Sequence, residues 1–167
     1  IAVLSPIIGT LSDYKGFKNK LLGFFILLGV ITTALMAFMN SGQWVMLLVL
    51  FVLSTIGFSG SNGVYDSMLV DTTTEDRYDK VSSLGYGMGY IGSTIPFIIC
   101  MGLILGAKSL GITTLLATQL SFVITAIWWL VFSLPILRNV PQIHYVEPVK
   151  HPLIQTFKRL AKTFNEI

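Results

Sequence analysis

The sequence is short of charge. Only 11% of its 167 residues are Asp, Glu, Lys or Arg, where a soluble domain carries about 25%. The shortage is concentrated. No charged residue occurs from Leu21 to Tyr65, from Val81 to Ala107, or from Ser109 to Leu137. A buried core helix of a soluble domain needs a polar remainder to cover it, and this chain has none to offer. Cysteine is almost absent too. The single Cys100 excludes an internal disulfide, and zinc would need further ligands. Cys100 is expected to act as a small buried hydrophobe. The formal charge of +3 is no nucleic-acid signal, because the basic residues flank apolar runs.

Apolar residues make up 53% of the chain, and its mean hydropathy is +0.76. Runs of about 18 residues or more cross a hydrocarbon layer of about 30 Å as helix. The expected class is therefore all-α and integral to a membrane. Four full spans are predicted: Leu21 to Met39, Trp44 to Tyr65, Val81 to Leu105, and Ile112 to Leu137. The opening IAVLSPII reads as the end of a preceding helix, so the chain is expected to be a fragment. Trp44 fits an interfacial anchor, whereas Trp128 and Trp129 fit packing positions.

Lysine and arginine set the direction. Ten of the eleven fall in the loop before Leu21, the loop before Val81 and the tail after Leu137. Alternate loops share a side, and positive residues mark the cytoplasmic one. The turns around NSGQ and GAKSLG should then face outward. Residues 1–137 form the expected membrane bundle and 138–167 a cytoplasmic connector. In the connector RNVPQIHYVEPVKHP should be extended. LIQTFKRLAKTFNEI places Leu153, Phe157, Leu160, Phe164 and Ile167 on one face. That is the pattern of an amphipathic helix, lying on the membrane surface or packed on the bundle. His144 and His151 receive no chemical role.

Polar groups inside the apolar runs are the candidate functional residues. Ser59, Asn62 and Asp66 share a helical face. Asp66 lies near the cytoplasmic boundary. It could gate or pair, sit as a plain interfacial acid, or carry a proton. Asn62 and Ser59 could line a substrate path, and Asn62 could equally make a helix–helix hydrogen bond. Gly85, Gly89 and Ser93 recur at steps of four with Gly92 alongside, a pattern for close helix packing. Tyr86 and Tyr90 lie one turn apart, and Tyr90 joins the substrate-path candidates. Pro96 should kink its helix or free a carbonyl. Thr73 with Asp76, and Thr72 with Glu75, have capping-box spacing at the start of that helix. No His, Cys, Asp and Glu constellation suggests catalysis or a metal. Asp71, Glu75, Asp76 and Asp79 are interleaved with Arg77 and Lys80. No enzyme activity and no cofactor are expected.

The loop GTLSDYKGFKNK carries the pattern G-x-L-x-D-x-x-G-x-K at Gly9, Leu11, Asp13, Gly16 and Lys18. It resembles the loop between the second and third helices of major facilitator superfamily transporters. That resemblance makes the chain a partial major facilitator bundle, the end of helix two followed by helices three to six. It implies a conformational latch made by Gly9, Asp13, Gly16 and Lys18, with Asp66 or Asp71 as the partner acid. Phe17 stands where a basic residue is common, so Lys18 would take that role. Residues 57–93 are similar to the autophagy-related vacuolar effluxer family and its bacterial relatives. The matching pieces are GFSGS, Tyr65, Asp71, the run DRYDKVS from Asp76, and GYGMGYIG. Asp66 and Val70 depart from the usual Asn and Pro.

The implied function is secondary transport of a small solute by alternating access, with amino acids suggested by the eukaryotic members. A small multi-span scaffold or channel subunit is the alternative. The implied partners are the lipid bilayer, a small-molecule substrate, a coupling ion and a missing C-terminal half of the same protein. The implied location is a bacterial cytoplasmic membrane, or a vacuolar membrane in a eukaryote. A half bundle is expected not to transport alone.

Overall fold

A computed structural model describes residues 5–146. The predicted amphipathic helix, Lys150 and His151 lie outside the described residues. In chain order the helices are α1 (Ser5–Ser12), α2 (Lys18–Met36), α3 (Trp44–Ser67), the short α4 (Leu69–Thr72), α5 (Tyr78–Leu105) and α6 (Thr114–Asn139). A 3-10 turn, Glu75–Arg77, leads into α5. Four helices are long and apolar enough to cross a membrane, and they are the four that the uncharged runs predict. Among the described residues there is no strand, only an isolated parallel bridge between Tyr14 and Val146.

Helix ends differ from expectation by a few residues. Lys18 and Lys20 fall inside α2, because nothing in KNK stops a helix and their long stems can reach past it. Both α5 and α6 extend beyond the uncharged runs, and α6 carries Arg138 in its last turn. Neither capping box forms. Thr74, not Thr72 or Thr73, precedes the 3-10 turn, and its hydroxyl donates to Asp76 Oδ1 at 2.5 Å. The Thr72 hydroxyl donates back to the Met68 carbonyl. The side-chain cap is instead at α6, where Thr113 Oγ1 accepts from the Leu116 N–H at 3.1 Å.

The core lies between α2, the end of α3 and α6. Leu22, Phe25, Ile26, Val30, Val64, Met68 and Ala126 are buried together, with Trp129 packed against them. Glycine makes this crossing possible. A Cβ on Gly57 would lie 2.5 Å from the Gly29 backbone nitrogen, and one on Gly60 would meet the Phe25 ring at 2.4 Å. Trp129 fills the other side of Gly29, where a Cβ would clash with its indole. Trp129 and Trp128 thus pack, each also against a phenylalanine, Phe58 and Phe132. The close approach expected along Gly85, Gly89, Gly92 and Ser93 is not where the helix backbones meet; of its three glycines only Gly85 has a neighbour, the Tyr65 hydroxyl, 3.2 Å from a Cβ built there. Nothing lies within 4 Å of a Cβ placed on Gly89 or Gly92, and α5 has no buried residue. Outward-facing Phe51, Ile91, Ile98 and Leu105 are each more than 45% exposed. Lipid, not water, suits such a surface.

α5 packs against α6 and does not pack closely on α3. A groove therefore runs between α3, α5 and α6. It holds a cavity of about 820 Å³ midway and one of about 580 Å³ at the end where the charged segments gather.

Candidate functional site

The three segments rich in basic residues converge at one end of the bundle. Their centre is Asp71, on the short α4, whose side chain is wholly buried although Val70 beside it is exposed. α3 ends at Ser67, and the Met68 turn starts α4, which swings Asp71 inward. Lys18, on the first residue of α2, reaches Asp71 Oδ2 with Nζ at 2.6 Å and donates also to the Ser67 carbonyl at 3.1 Å. Both side chains are at most 3% exposed. Asp71 Oδ1 accepts the N–H groups of Ile143 at 3.0 Å and His144 at 2.7 Å. The His144 ring Nδ1 lies 3.2 Å away. Burial pushes the Asp71 carboxyl upward, but the Lys18 hydrogen bond, then those from His144 and Ile143, then the Lys18 charge outweigh it. The net result lies below the usual 3.8.

The segment after α6 forms a strap across the loop between α1 and α2. Gln142 Oε1 accepts the Gly16 N–H at 2.9 Å, and its Nε2 donates to the Ser12 carbonyl at 3.0 Å. Gly16 has φ +74°, a left-handed conformation in which glycine is unstrained. The Val146 N–H donates to the Asp13 carbonyl at 2.7 Å, and the Lys15 N–H to the Val146 carbonyl at 3.1 Å. The Lys15 ammonium sits 4.8 Å from the centre of the Tyr145 ring. Asn19 donates to the Val140 carbonyl at 3.0 Å. Tyr14 is buried beneath the strap.

The predicted latch residues divide. Lys18 and Asp71 meet, and Gly16 shapes the loop that carries Lys18. Gly9 contributes a carbonyl that accepts from the Ser12 hydroxyl at 2.7 Å and the Asp13 N–H at 3.3 Å. The Asp13 side chain is exposed and engages no described residue. Asp66 is not the acid that Lys18 finds. It faces the groove, where Tyr86 donates to Asp66 Oδ1 at 3.2 Å.

The substrate-path candidates also divide. Asn62 lines the mid-groove cavity with Thr33, Ser54, Gly92 and Ser133, whereas Ser59 and Tyr90 do not. Tyr90 is 76% exposed and turns away. Pro96 lines the same cavity inside a continuous α5. It has no N–H to give the Gly92 carbonyl, one turn back. Cys100 is half-buried there, its thiol 3.7 Å from the Ser121 carbonyl, rather than lost in a core. Gln142, Ile143 and His144 are the residues that sequence reasoning passed over. Their contacts to Asp71 and the loop span 72 to 130 positions. They lie in the polar connector RNVPQIHYVEPVKHP, whose composition shows an extended segment but not what it touches.

Four membrane-length helices closed at one end by a charged clamp define a multi-pass integral membrane protein of all-α type. The chain belongs to the family described as Vacuole effluxer Atg22 like, whose model matches residues 1–167. It is 47% identical over 169 residues to an uncharacterized MFS-type transporter, YxiO, of Bacillus subtilis. That match covers 100% of this chain and 40% of the relative, so the chain spans about two fifths of that protein's length. Over 56 residues it is 38% identical to Autophagy-related protein 22-2 of Aspergillus clavatus, covering 34% of this chain and 8% of the relative. No solved structure matches. The homology and the four spans together bear out the expectation of a partial major facilitator bundle.

Proposed function

We propose that this chain is part of the N-terminal half of a secondary transporter that moves a small solute by alternating access. The observation that carries the reading is the buried Lys18–Asp71 pair under its strap. A buried ion pair is a poor way to stabilise a static scaffold, because desolvation offsets most of its attraction. It is well suited to a contact that is made in one state and broken in another. The pair links the loop before α2 to the end of α3, and the strap brings in the segment after α6. All three would have to shift together if the bundle rocks against a second half. Two curated relatives, one named as a transporter along the full length of this chain, weigh against the scaffold or channel-subunit alternative.

In this reading the clamp lies on the cytoplasmic side, where positive residues concentrate. Asn62 and the mid-groove cavity it lines are the candidates for solute contact. Amino acids are the first substrate class to test. The test uses the full-length protein in proteoliposomes loaded with labelled amino acids, wild type beside Lys18→Met/Asp71→Asn. Counterflow by wild type and altered rates in the variant support the reading. Identical rates in both remove the clamp from the mechanism, and no flux of any solute removes the transporter.

A further inference from the structure

The cavity at the charged end of the groove holds a carboxylate that no cation among the described residues serves. Asp66 is the last residue but one of α3, about 33 Å along the helix from Trp44 and so at the membrane boundary. Its one hydrogen bond, from the Tyr86 hydroxyl, is 3.2 Å long, loose for an O–H donor. Oδ2 has no partner among the described residues. Among the described residues no lysine or arginine lines the cavity, and Lys18 is committed to Asp71.

Two phenol rings flank the carboxylate. Tyr65 precedes it on α3, and Tyr86 stands opposite on α5. Gly85 allows this arrangement, since a Cβ there would lie 3.2 Å from the Tyr65 hydroxyl. The remaining wall is mostly apolar, with Met68, Leu69, Val81, Pro135 and Ile136, interrupted by the neutral polar side chains of Thr72, Ser82 and Asn139. A carboxylate beside aromatic rings attracts an ammonium through a charge-assisted hydrogen bond and cation–π contact. Aromatic and apolar walls beside a single carboxylate favour an ammonium with a carbon body over a hydrated alkali ion. A ligand carboxylate would find no cation here and would be repelled by Asp66.

We propose that Asp66, Tyr65 and Tyr86 form a binding site for a primary ammonium carrying a small apolar body, with preference for an amine over the matching amino acid. The proposal rests on the transporter reading for its purpose, but binding can be measured without transport. The full-length protein in nanodiscs is titrated calorimetrically with isoamylamine, leucine, isovalerate and sodium chloride. Isoamylamine should bind, leucine more weakly, and isovalerate and sodium not at all. Asp66→Asn should weaken isoamylamine by about tenfold or more, and Tyr86→Phe by about threefold. Asp66→Glu should restore most of the affinity.

Unchanged affinity in Asp66→Asn overturns the site, as does equal binding of isovalerate. A lower melting temperature of Asp66→Asn with intact isoamylamine binding overturns it in favour of a structural hydrogen bond to Tyr86. Stabilisation by sodium alone overturns it in favour of an alkali-ion site. Isoamylamine binding that depends on Asp66, in a protein that moves no solute in proteoliposomes, leaves the site standing and removes the transporter. Flux without Asp66-dependent binding does the reverse.

Discussion

Replacing Asp71 by Asn isolates the energetics of the clamp. The amide keeps a carbonyl oxygen for the N–H groups of Ile143 and His144, so the strap retains acceptors. What is lost is the partner of Lys18, whose ammonium would keep only the Ser67 carbonyl. Removing one member of a buried pair costs about 3–5 kcal/mol, because the remaining charge stays desolvated. Lys18→Met should cost less, about 1–3 kcal/mol, since Asp71 keeps the donors from the strap. The double variant leaves no unpaired charge and should be more stable than Asp71→Asn alone. The cycle is measured on the full-length protein by equilibrium unfolding in bicelles. The sign of the pH effect also follows. The Asp71 carboxyl is held below its ordinary 3.8, so its contribution is complete above that value and disappears only as pH falls through the still lower folded value. The difference between wild type and Asp71→Asn should therefore be flat from about pH 5 to 8. A loss under about 1 kcal/mol, or single costs that add within about 0.5 kcal/mol, would refute the buried coupling.

Other expectations follow from the same geometry. Lys18→Asp with Asp66→Lys should not recover transport, because Asp66 faces the groove; recovery in a flux assay would put the acid elsewhere. Gly57→Leu should destabilise by about 1–3 kcal/mol or more through collision with Gly29, whereas Gly89→Ala should leave unfolding of the bundle nearly unchanged. Gly16→Ala should cost about 1–2 kcal/mol from the left-handed backbone alone, read in the same unfolding assay. Gln142→Ala should speed hydrogen exchange at the Gly16 amide, and unaltered protection there would mean the strap does not hold the loop.

The spans were legible because a hydrocarbon solvent forbids charge, and that rule acts residue by residue. Helix ends were less so, since Lys18 and Arg138 can lie inside a helix while their heads reach beyond it. The glycine pattern misled for a physical reason. Steps of four identify a small-residue face on α5, but they do not say what stands opposite. The real crossing uses Gly29, Gly57 and Gly60, on two different helices. The loop pattern singled out Lys18 and offered two acids five positions apart. The turn at Met68 decides between them, and no local signal announces that turn. The strap was invisible because its hydrogen bonds join residues more than 70 positions apart.

The bridge between Tyr14 and Val146 ties nearly the first described residues to the last. During synthesis, the helices that carry Lys18 and lead to Asp71 are inserted long before residues 142–146 leave the ribosome. Until then Asp71 lacks the donors that let it sit dry, so it should remain at the wet surface. Closure of this end is thus timed by translation itself, and a ribosome paused before Gln142 should hold a bundle whose spans are inserted but whose charged end is still unsealed.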